Sequence, residues 1–292
     1  MPDISKKSSN LAVQKRATVK NTVHLKGIGI HSGTDAELFI HPAPSGSGLV
    51  FDVKGVSAGK IPVSPLNVIG TMQQVVLGKN GAKIQTVEHL LAALSIAGVS
   101  DAVLEVSGEE VPILDGSAWP YYEAIEAEGI SFFNETLHPI IIKTPLWIVE
   151  GERYLVALPD DECRITYSIN FDHKMLKGQG ISINRNDPDF AEKILKARTF
   201  GMMKDVNAMK EKGLIKGGSL ENALVLTDDG YLNESLRYKD ECVRHKVLDL
   251  VGDLNLLNRP VQGHIIASKA GHKLDVALTK KMLAGDLISA AS

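Results

Sequence analysis

Two polar stretches set inside apolar helical patterns constrain this chain more than any other feature. Val87, Leu90, Leu91 and Leu94 recur at helical spacing, Gly98 supplies a stop, and Glu88 and His89 sit near the start of that helix. Far along the chain, Tyr238 to Leu257 reads as a long helix. Within it His245, Asp249 and Asp253 fall four apart and share an arc of about 80°. Val243, Val247, Leu250, Val251 and Leu254 gather on the opposite side, so this helix packs with one face and presents His and two Asp on the other.

These stretches supply two imidazoles, His89 and His245, one carboxylate ligand, Asp249, and a spare carboxylate, Glu88. Three protein donors with a fourth position left for water are the pattern of a catalytic zinc site. Glu88, next to a ligand, stands where a general base for that water is needed. A third piece is Gly271-His272, ahead of a helical C-terminal stretch. A leaving amine needs a proton, and protonated His is the usual donor; a helix N-terminus lowers the pKa of His272 and a nearby carboxylate raises it, with Asp253 the natural candidate. Each piece alone also fits a blander account: a solvated His–Asp pair on a helix, an acidic first turn, a surface His at a helix start. Cys242, three residues before His245, is a further thiolate candidate, although free Cys more often serves as a small buried hydrophobe. His31, His138, His173 and His264 lack a carboxylate partner at helical spacing. Gly27-x-Gly29 lacks the third glycine and helix of a dinucleotide fingerprint, and no His-Glu-x-x-His occurs.

Composition narrows the class. The chain has 292 residues, 44% hydrophobic and 23% charged, an ordinary globular balance. A net charge of −3 argues against a nucleic-acid surface. Only two cysteines, Cys163 and Cys242, argue against a disulfide framework and fit a reducing compartment. No apolar run reaches the roughly 20 residues of a spanning helix, and Met1 to Lys20 has no apolar core of a secretory signal. Met1 to about Gln14 is expected to be loosely ordered.

Strand-like patterns occupy Thr18 to Gly33 (closing on a glycine-rich turn), Ala36 to Ile40, Gln73 to Leu77 and Ala102 to Val106, with a second helix at Pro120 to Gly129. Past a boundary near Asn134 to Pro139, strand patterns resume at 140–142, 147–149, 154–158 and 165–171. Phe190 to Arg198 is helical, and Leu220 to Thr227 strand-like, before the long helix. The order points to an α+β fold of two similar halves. No residue-level repeat accompanies them. Read from residues alone, the site fits a metal-dependent hydrolase acting on an amide such as a peptide, or a non-catalytic binding module on the same scaffold with its polar helix face solvated.

Taken jointly, the motifs resemble a family. Thr86-Val87-Glu88-His89-Leu90, Asp115-Gly116-Ser117, Ala197-Arg198-Thr199-Phe200, Gly217-Gly218-Ser219, His245-Lys246-Val247-Leu248-Asp249-Leu250-Val251-Gly252-Asp253 and Gly271-His272 closely resemble the bacterial UDP-3-O-acyl-N-acetylglucosamine deacetylases in order and spacing. Gly29-Ile30-His31-Ser32-Gly33 fits the family's N-terminal turn, and the match covers about residues 17 to 285. The resemblance implies two α+β domains, each a β-sheet layered against helices, with the active site at their interface. It divides the chain into an N-terminal tail (1–16), a first domain (17–135) and a second (136–292), which carries a β-α-β insert at about 199–226 for the acyl chain. In the insert Phe200, Met202, Met203, Met209, Leu214 and Ile215 are expected to wall an apolar passage.

The resemblance further implies one Zn²⁺, or Fe²⁺, on His89, His245 and Asp249. It makes Glu88 the general base, His272 the general acid oriented by Asp253, and Thr199 the donor to the oxyanion. Lys246 meets the nucleotide diphosphate, an aromatic near Phe171 stacks by the uracil, and Phe200 and Met72 complete the substrate contacts. The implied activity is removal of the N-acetyl group of UDP-3-O-acyl-N-acetylglucosamine, releasing acetate, in the committed step of lipid A synthesis. The expected setting is a cytoplasmic monomer with a small-molecule substrate and no nucleic-acid or membrane-spanning part. The chain departs from the family's more frequent Asn at one position, Asp275, and in a longer N-terminal tail.

Overall fold

The computed structural model describes residues 14–56 and 59–291. Most of the tail read from sequence therefore lies outside the described residues; its last three, Gln14 to Arg16, already belong to the first strand.

The first half runs β1 (Gln14–Val19), β2 (Val23–Ile28), β3 (Asp35–Pro42), β4 (Leu49–Val53), β5 (Lys60–Pro62), β6 (Val68–Gly70), β7 (Val76–Lys79), β8 (Ala82–Gln85), α1 (Glu88–Ala97), β9 (Ala102–Ser107), α2 (Trp119–Glu128) and β10 (Ile130–Leu137). The second runs β11 (Ile140–Ile141), β12 (Leu146–Glu150), β13 (Arg153–Leu158), β14 (Cys163–Ile169), β15 (Gln179–Asn184), α3 (Phe190–Leu195), β16 (Phe200–Met202), α4 (Met203–Glu211), β17 (Leu224–Leu226), α5 (Glu241–Leu254), β18 (Val261–Ser268) and α6 (His272–Ala291). The fold is mixed α+β with several sheets. Among the described residues no helix is long and apolar enough to cross a membrane.

The two large sheets have the same topology. In one the order is β2-β3-β9-β4-β5, and in the other β12-β13-β18-β14-β15 with β11 also along β18. In each, the late strand that follows a central helix enters between an antiparallel and a parallel neighbour: β9 between β3 and β4, β18 between β13 and β14. Alternation builds the inner faces. Leu38 and Ile40, Phe51, Leu104 and Val106 are buried in the first sheet; Leu155 and Ala157, Ile165 and Tyr167, Ile265 and Ala267 in the second. One continuous apolar cluster joins both through α1 and α5, which pack on each other.

The expected strand Thr18 to Gly33 is two strands, because β1 leaves the sheet and pairs antiparallel with β10 from Gln14↔Leu137 to Val19↔Ile130. β10 thus crosses the stretch read as a boundary. The strand expected from Gln73 starts at Val76, since Gln73 has φ 62° and cannot continue an extended run. β17 keeps only three residues of Leu220 to Thr227, and pairs in parallel with β16 across α4.

α5 is the central element. Its polar face is as buried as its apolar one: His245, Asp249 and Asp253 are 3%, 3% and 1% exposed. The face that presents His and two Asp is covered because α1 lies against it, and Gly252 permits that approach. A Cβ at Gly252 would stand 2.1 Å from the Glu88 carbonyl oxygen, which is backbone and cannot yield. Gly252→Ala is therefore expected to lower stability by about 1–3 kcal/mol through overpacking and to misplace Glu88 and His89. A denaturation midpoint equal to wild type would contradict this contact.

Candidate metal centre and active site

α1, α5 and the start of α6 deliver five ionisable side chains to one place. His89 is in the first turn of α1, and His245 and Asp249 are one turn apart on α5. A donor atom from each of these three lies within 4.8 Å of the other two. Asp249 Oδ1 is 3.6 Å from His89 Nε2 and 3.3 Å from His245 Nε2, and the two rings meet edge-on at 5.0 Å. Donors around a tetrahedral zinc stand about 3.3 Å apart, given metal–donor lengths of about 2.0–2.1 Å.

The chemistry of the donors fits a cation. Asp249 Oδ1 is buried with no hydrogen-bond partner, as is His89 Nδ1. His245 Nδ1 donates to the Ala197 carbonyl at 3.1 Å, which fixes the tautomer and leaves Nε2 as a lone pair facing Asp249. Burial pushes the His245 imidazole down to about 4, so it is neutral at physiological pH, the ligand form. Burial works against ionising Asp249, yet His245, Lys246 and His89 together hold its carboxyl well below the usual range. Asp249 Oδ2 accepts from Lys246 Nζ at 2.7 Å.

Glu88 and His272 face each other beside these donors, with Glu88 Oε1 3.8 Å from His272 Nε2. Glu88 Oε2 accepts the Val75 backbone N–H at 3.0 Å, which aims the free oxygen. Burial raises the Glu88 carboxyl above its ordinary value, partly offset by His272 and His89. His272 behaves in the opposite sense. Burial would lower it, but the carboxylate of Asp253, hydrogen-bonded to Nδ1 at 2.8 Å, prevails with Glu88 and Asp249, and the imidazole is pushed up to about 10.

A cavity of about 440 Å³ opens over this group. Thr199 lines it, held by its N–H on the Gly116 carbonyl and by Leu224 N–H on its own carbonyl, both at 2.8 Å. Gly116, at φ +83°, is where the Asp115-Gly116-Ser117 motif acts: any Cβ there would meet the Asn222 carbonyl oxygen at 1.9 Å. The next residues of the Ala197 to Phe200 motif are anchored through Glu241, fully buried, which receives Arg198 Nε at 2.9 Å.

Of the other expected contacts, Phe200, Phe171 and Lys246 line the cavity. Phe171 meets Phe200 edge to face at 5.7 Å, and Phe200 meets His245 likewise at 6.2 Å. Met72 does not line it. Thr71 and Gln73 on either side do, while Met72, in a bend where Gln73 takes φ 62°, is 60% exposed. Of the insert residues, Met202 and Met209 join Phe200 in the wall; Ile215 instead gives its N–H to His31 Nδ1. Cys242 is away from the metal group, bonded to the Tyr231 hydroxyl. His31, His138, His173 and His264 each find another partner. Sequence reading missed Arg153, Lys269 and Lys273, three cations at the cavity from β13, the connection after β18 and α6. It also missed Asp275, buried on the His272 side of α6, whose i+3 spacing from His272 was the available signal.

Two imidazoles and a carboxylate converge under a cavity, with a carboxylate and a charged imidazole opposed beside them, a set whose chemistry could hold a cation and move a proton. The chain belongs to the UDP-3-O-acyl N-acetylglycosamine deacetylase family, whose model matches residues 16–284. A protein of Leptospira biflexa serovar Patoc named UDP-3-O-acyl-N-acetylglucosamine deacetylase is 51% identical over 267 residues, 91% of this chain and 88% of its own length. Proteins of the same name from Wolinella succinogenes and Myxococcus xanthus are 40% and 39% identical, across 92% and 91% of this chain and 90% and 85% of theirs.

The His272 ionisation gives a direct test. Its raised pKa means that the imidazolium persists well above neutrality, and the proton is lost only as pH rises through about 10. Asp253→Asn removes the main charge that sustains it, so burial then dominates. The imidazole titration, followed by NMR, should drop by several units, and the alkaline limb of activity with it. An unshifted midpoint would contradict the Asp253–His272 pairing.

Proposed function

We propose that this protein hydrolyses the N-acetyl group of UDP-3-O-acyl-N-acetylglucosamine, as the names of its relatives say of them, in the committed step of lipid A synthesis. The observation that carries the reading is the opposed pair, Glu88 Oε1 and His272 Nε2 at 3.8 Å, beside three converging metal donors. The ion held by His89, His245 and Asp249 is Zn²⁺, with Fe²⁺ compatible with the same donors. When bound, it supplies Lewis acidity to the acetamide carbonyl and to water.

The chain's own residues do the rest. Glu88, held by Val75, takes the proton as water attacks the acetamide carbon. The Thr199 hydroxyl meets the charge that develops on the carbonyl oxygen, a donor whose loss costs typically about 2.7–4 kcal/mol of barrier. His272 donates its Nε2 proton to the departing glucosamine nitrogen, while Asp253 holds Nδ1 and stabilises the charged ring. Water is consumed, the C–N bond breaks, and acetate and the free amine leave.

The cavity suits the rest of the substrate. Arg153, Lys246, Lys269 and Lys273 offer positive charge for a diphosphate, and Phe171 an exposed ring face for uracil. Phe200, Met202 and Met209 line a way out along β16 and α4 for an acyl chain. We assign residues 17–135 and 136–292 to two domains with the site at their interface, a division supported by the repeated strand order of the two large sheets. Free cysteines at 163 and 242 support a cytoplasmic setting.

Acetate release from the nucleotide sugar should vanish on chelation and return with one equivalent of Zn²⁺. Glu88→Gln should lower kcat by about 10²–10⁴-fold with metal content unchanged, whereas Asp249→Ala should lose both. Full turnover by metal-loaded Glu88→Gln would refute the assigned base, and no acetate from folded, metal-loaded wild type would refute the reaction.

A further inference from the structure

Behind His272 and Asp253 lies a second carboxyl to which the reaction above gives no task. Asp275 follows His272 by three residues on α6, so the two leave one face of the helix, and it is 0% exposed. Neither of its oxygens has a hydrogen-bond partner, and buried Asp253 Oδ1 and the buried Tyr167 hydroxyl lack one as well. A polar atom from each of Asp253, His272 and Asp275 lies within 4.8 Å of the other two. Buried polar groups are nearly always paired, and an unpaired buried carboxyl sheds its charge by keeping a proton. Several such groups gathered behind one imidazole are a costly arrangement for a core that needs only packing.

We propose that Asp275 is a positioning residue for His272: a second buried carboxyl that steadies Asp253 against the imidazole and deepens the negative field around it. The inference rests on the deacetylase reading, in which His272 is the general acid.

The groups that face Asp275 can be named element by element. α5 contributes Asp253, Lys246 and Asp249, α6 contributes His272, and β14 contributes the Tyr167 hydroxyl. Glu88 on α1 faces the far side of His272. The charged ends of β12 and β13, Glu150 and Arg153, are exposed, with Glu150 paired to Lys273. Burial first, and the charge of Asp253 second, push the Asp275 carboxyl up to about 8, against the pull of Lys246 and His272. At neutral pH it is mainly a neutral acid, whose O–H can turn toward the unpartnered Oδ1 of Asp253 while Oδ2 stays on the imidazole. As pH rises through about 8 it ionises, and its new negative charge favours the imidazolium. Asp275 therefore extends upward the range over which His272 keeps the proton it must donate.

The test follows His272 by its imidazole NMR signals in zinc-loaded wild type, Asp275→Asn and Tyr167→Phe across neutral and alkaline pH, together with kcat and KM. Asp275→Asn keeps shape and a donor but cannot ionise. Its His272 midpoint should fall by about one unit or more, and the alkaline decline of kcat should shift equally with KM unchanged. Tyr167→Phe removes the unpartnered hydroxyl that faces Asp275 and can donate to it once it ionises, and keeps the ring packed; it should give a smaller shift of the same sign, and it decides the matter if Asp275→Asn does not fold. Midpoints and kcat profiles that superimpose on wild type, whatever happens to thermal stability, would overturn the proposal. The titration needs no turnover. A shifted midpoint in a protein that releases no acetate would support the charge coupling and count against the deacetylase reading instead.

Discussion

The approach of α5 to α1 is the contact on which the rest depends. With Gly252 against the Glu88 carbonyl, two helices from distant parts of the chain come close enough for His89 to join His245 and Asp249. Neither helix could present its polar residues alone. Each is set by an apolar face that belongs to one shared core, so the energy that holds the donors in register is hydrophobic burial across both sheets, not attraction among the donors. That matters because bringing so many ionisable groups out of water is unfavourable, and the fold must supply the difference.

Electrostatics then sorts these groups by partner. His245 and His272 are both buried, one with a backbone carbonyl on Nδ1 and the other with a carboxylate. The first is neutral and fit to bind a cation; the second is charged and fit to donate a proton. One residue type is thus tuned in opposite senses within one cavity, decided by what lies behind the ring. The carboxylates divide similarly. Asp249, next to Lys246, is held ionised, while burial raises Glu88 above its ordinary value against the pull of His272 and His89.

Much of this was legible in the sequence because helical periodicity is local. The start of α1, the existence of α5 and the grouping of His245, Asp249 and Asp253 follow from spacing, although α5 runs Glu241–Leu254 inside the expected Tyr238 to Leu257, and the Gly271-His272 pair marks the start of α6. Less legible were features set by distant pairing. β1 joins β10 rather than continuing into β2, the small sheet of β6, β7 and β8 depends on turns, and the common topology of the two large sheets lies in strand order without residue identity. The cations show the same limit: Arg153 on β13, Lys269 just past β18 and Lys273 on α6 converge only when folded. A buried Asp275 looks in sequence like an ordinary acidic residue in a first helical turn, where such residues are common.

A second set of polar contacts ties the cavity wall to the metal donors. Glu110, buried, accepts the N–H groups of His31 and Ser32 and lies 2.8 Å from the Thr86 hydroxyl. Thr86 has φ 58°, a conformation that costs a β-branched residue about 1–3 kcal/mol, and it directly precedes the turn that launches Glu88 and His89. The same glycine-rich turn accepts from Lys216 and Gly217 through the carbonyls of His31 and Ile30, so it also docks the end of the insert. One buried carboxylate therefore links the loop after α4 to the residue that aims α1. Strain at Thr86 persists because contacts on both sides over-determine it, and the apolar wall and the proton-transfer pair are held by one framework although they are far apart in sequence.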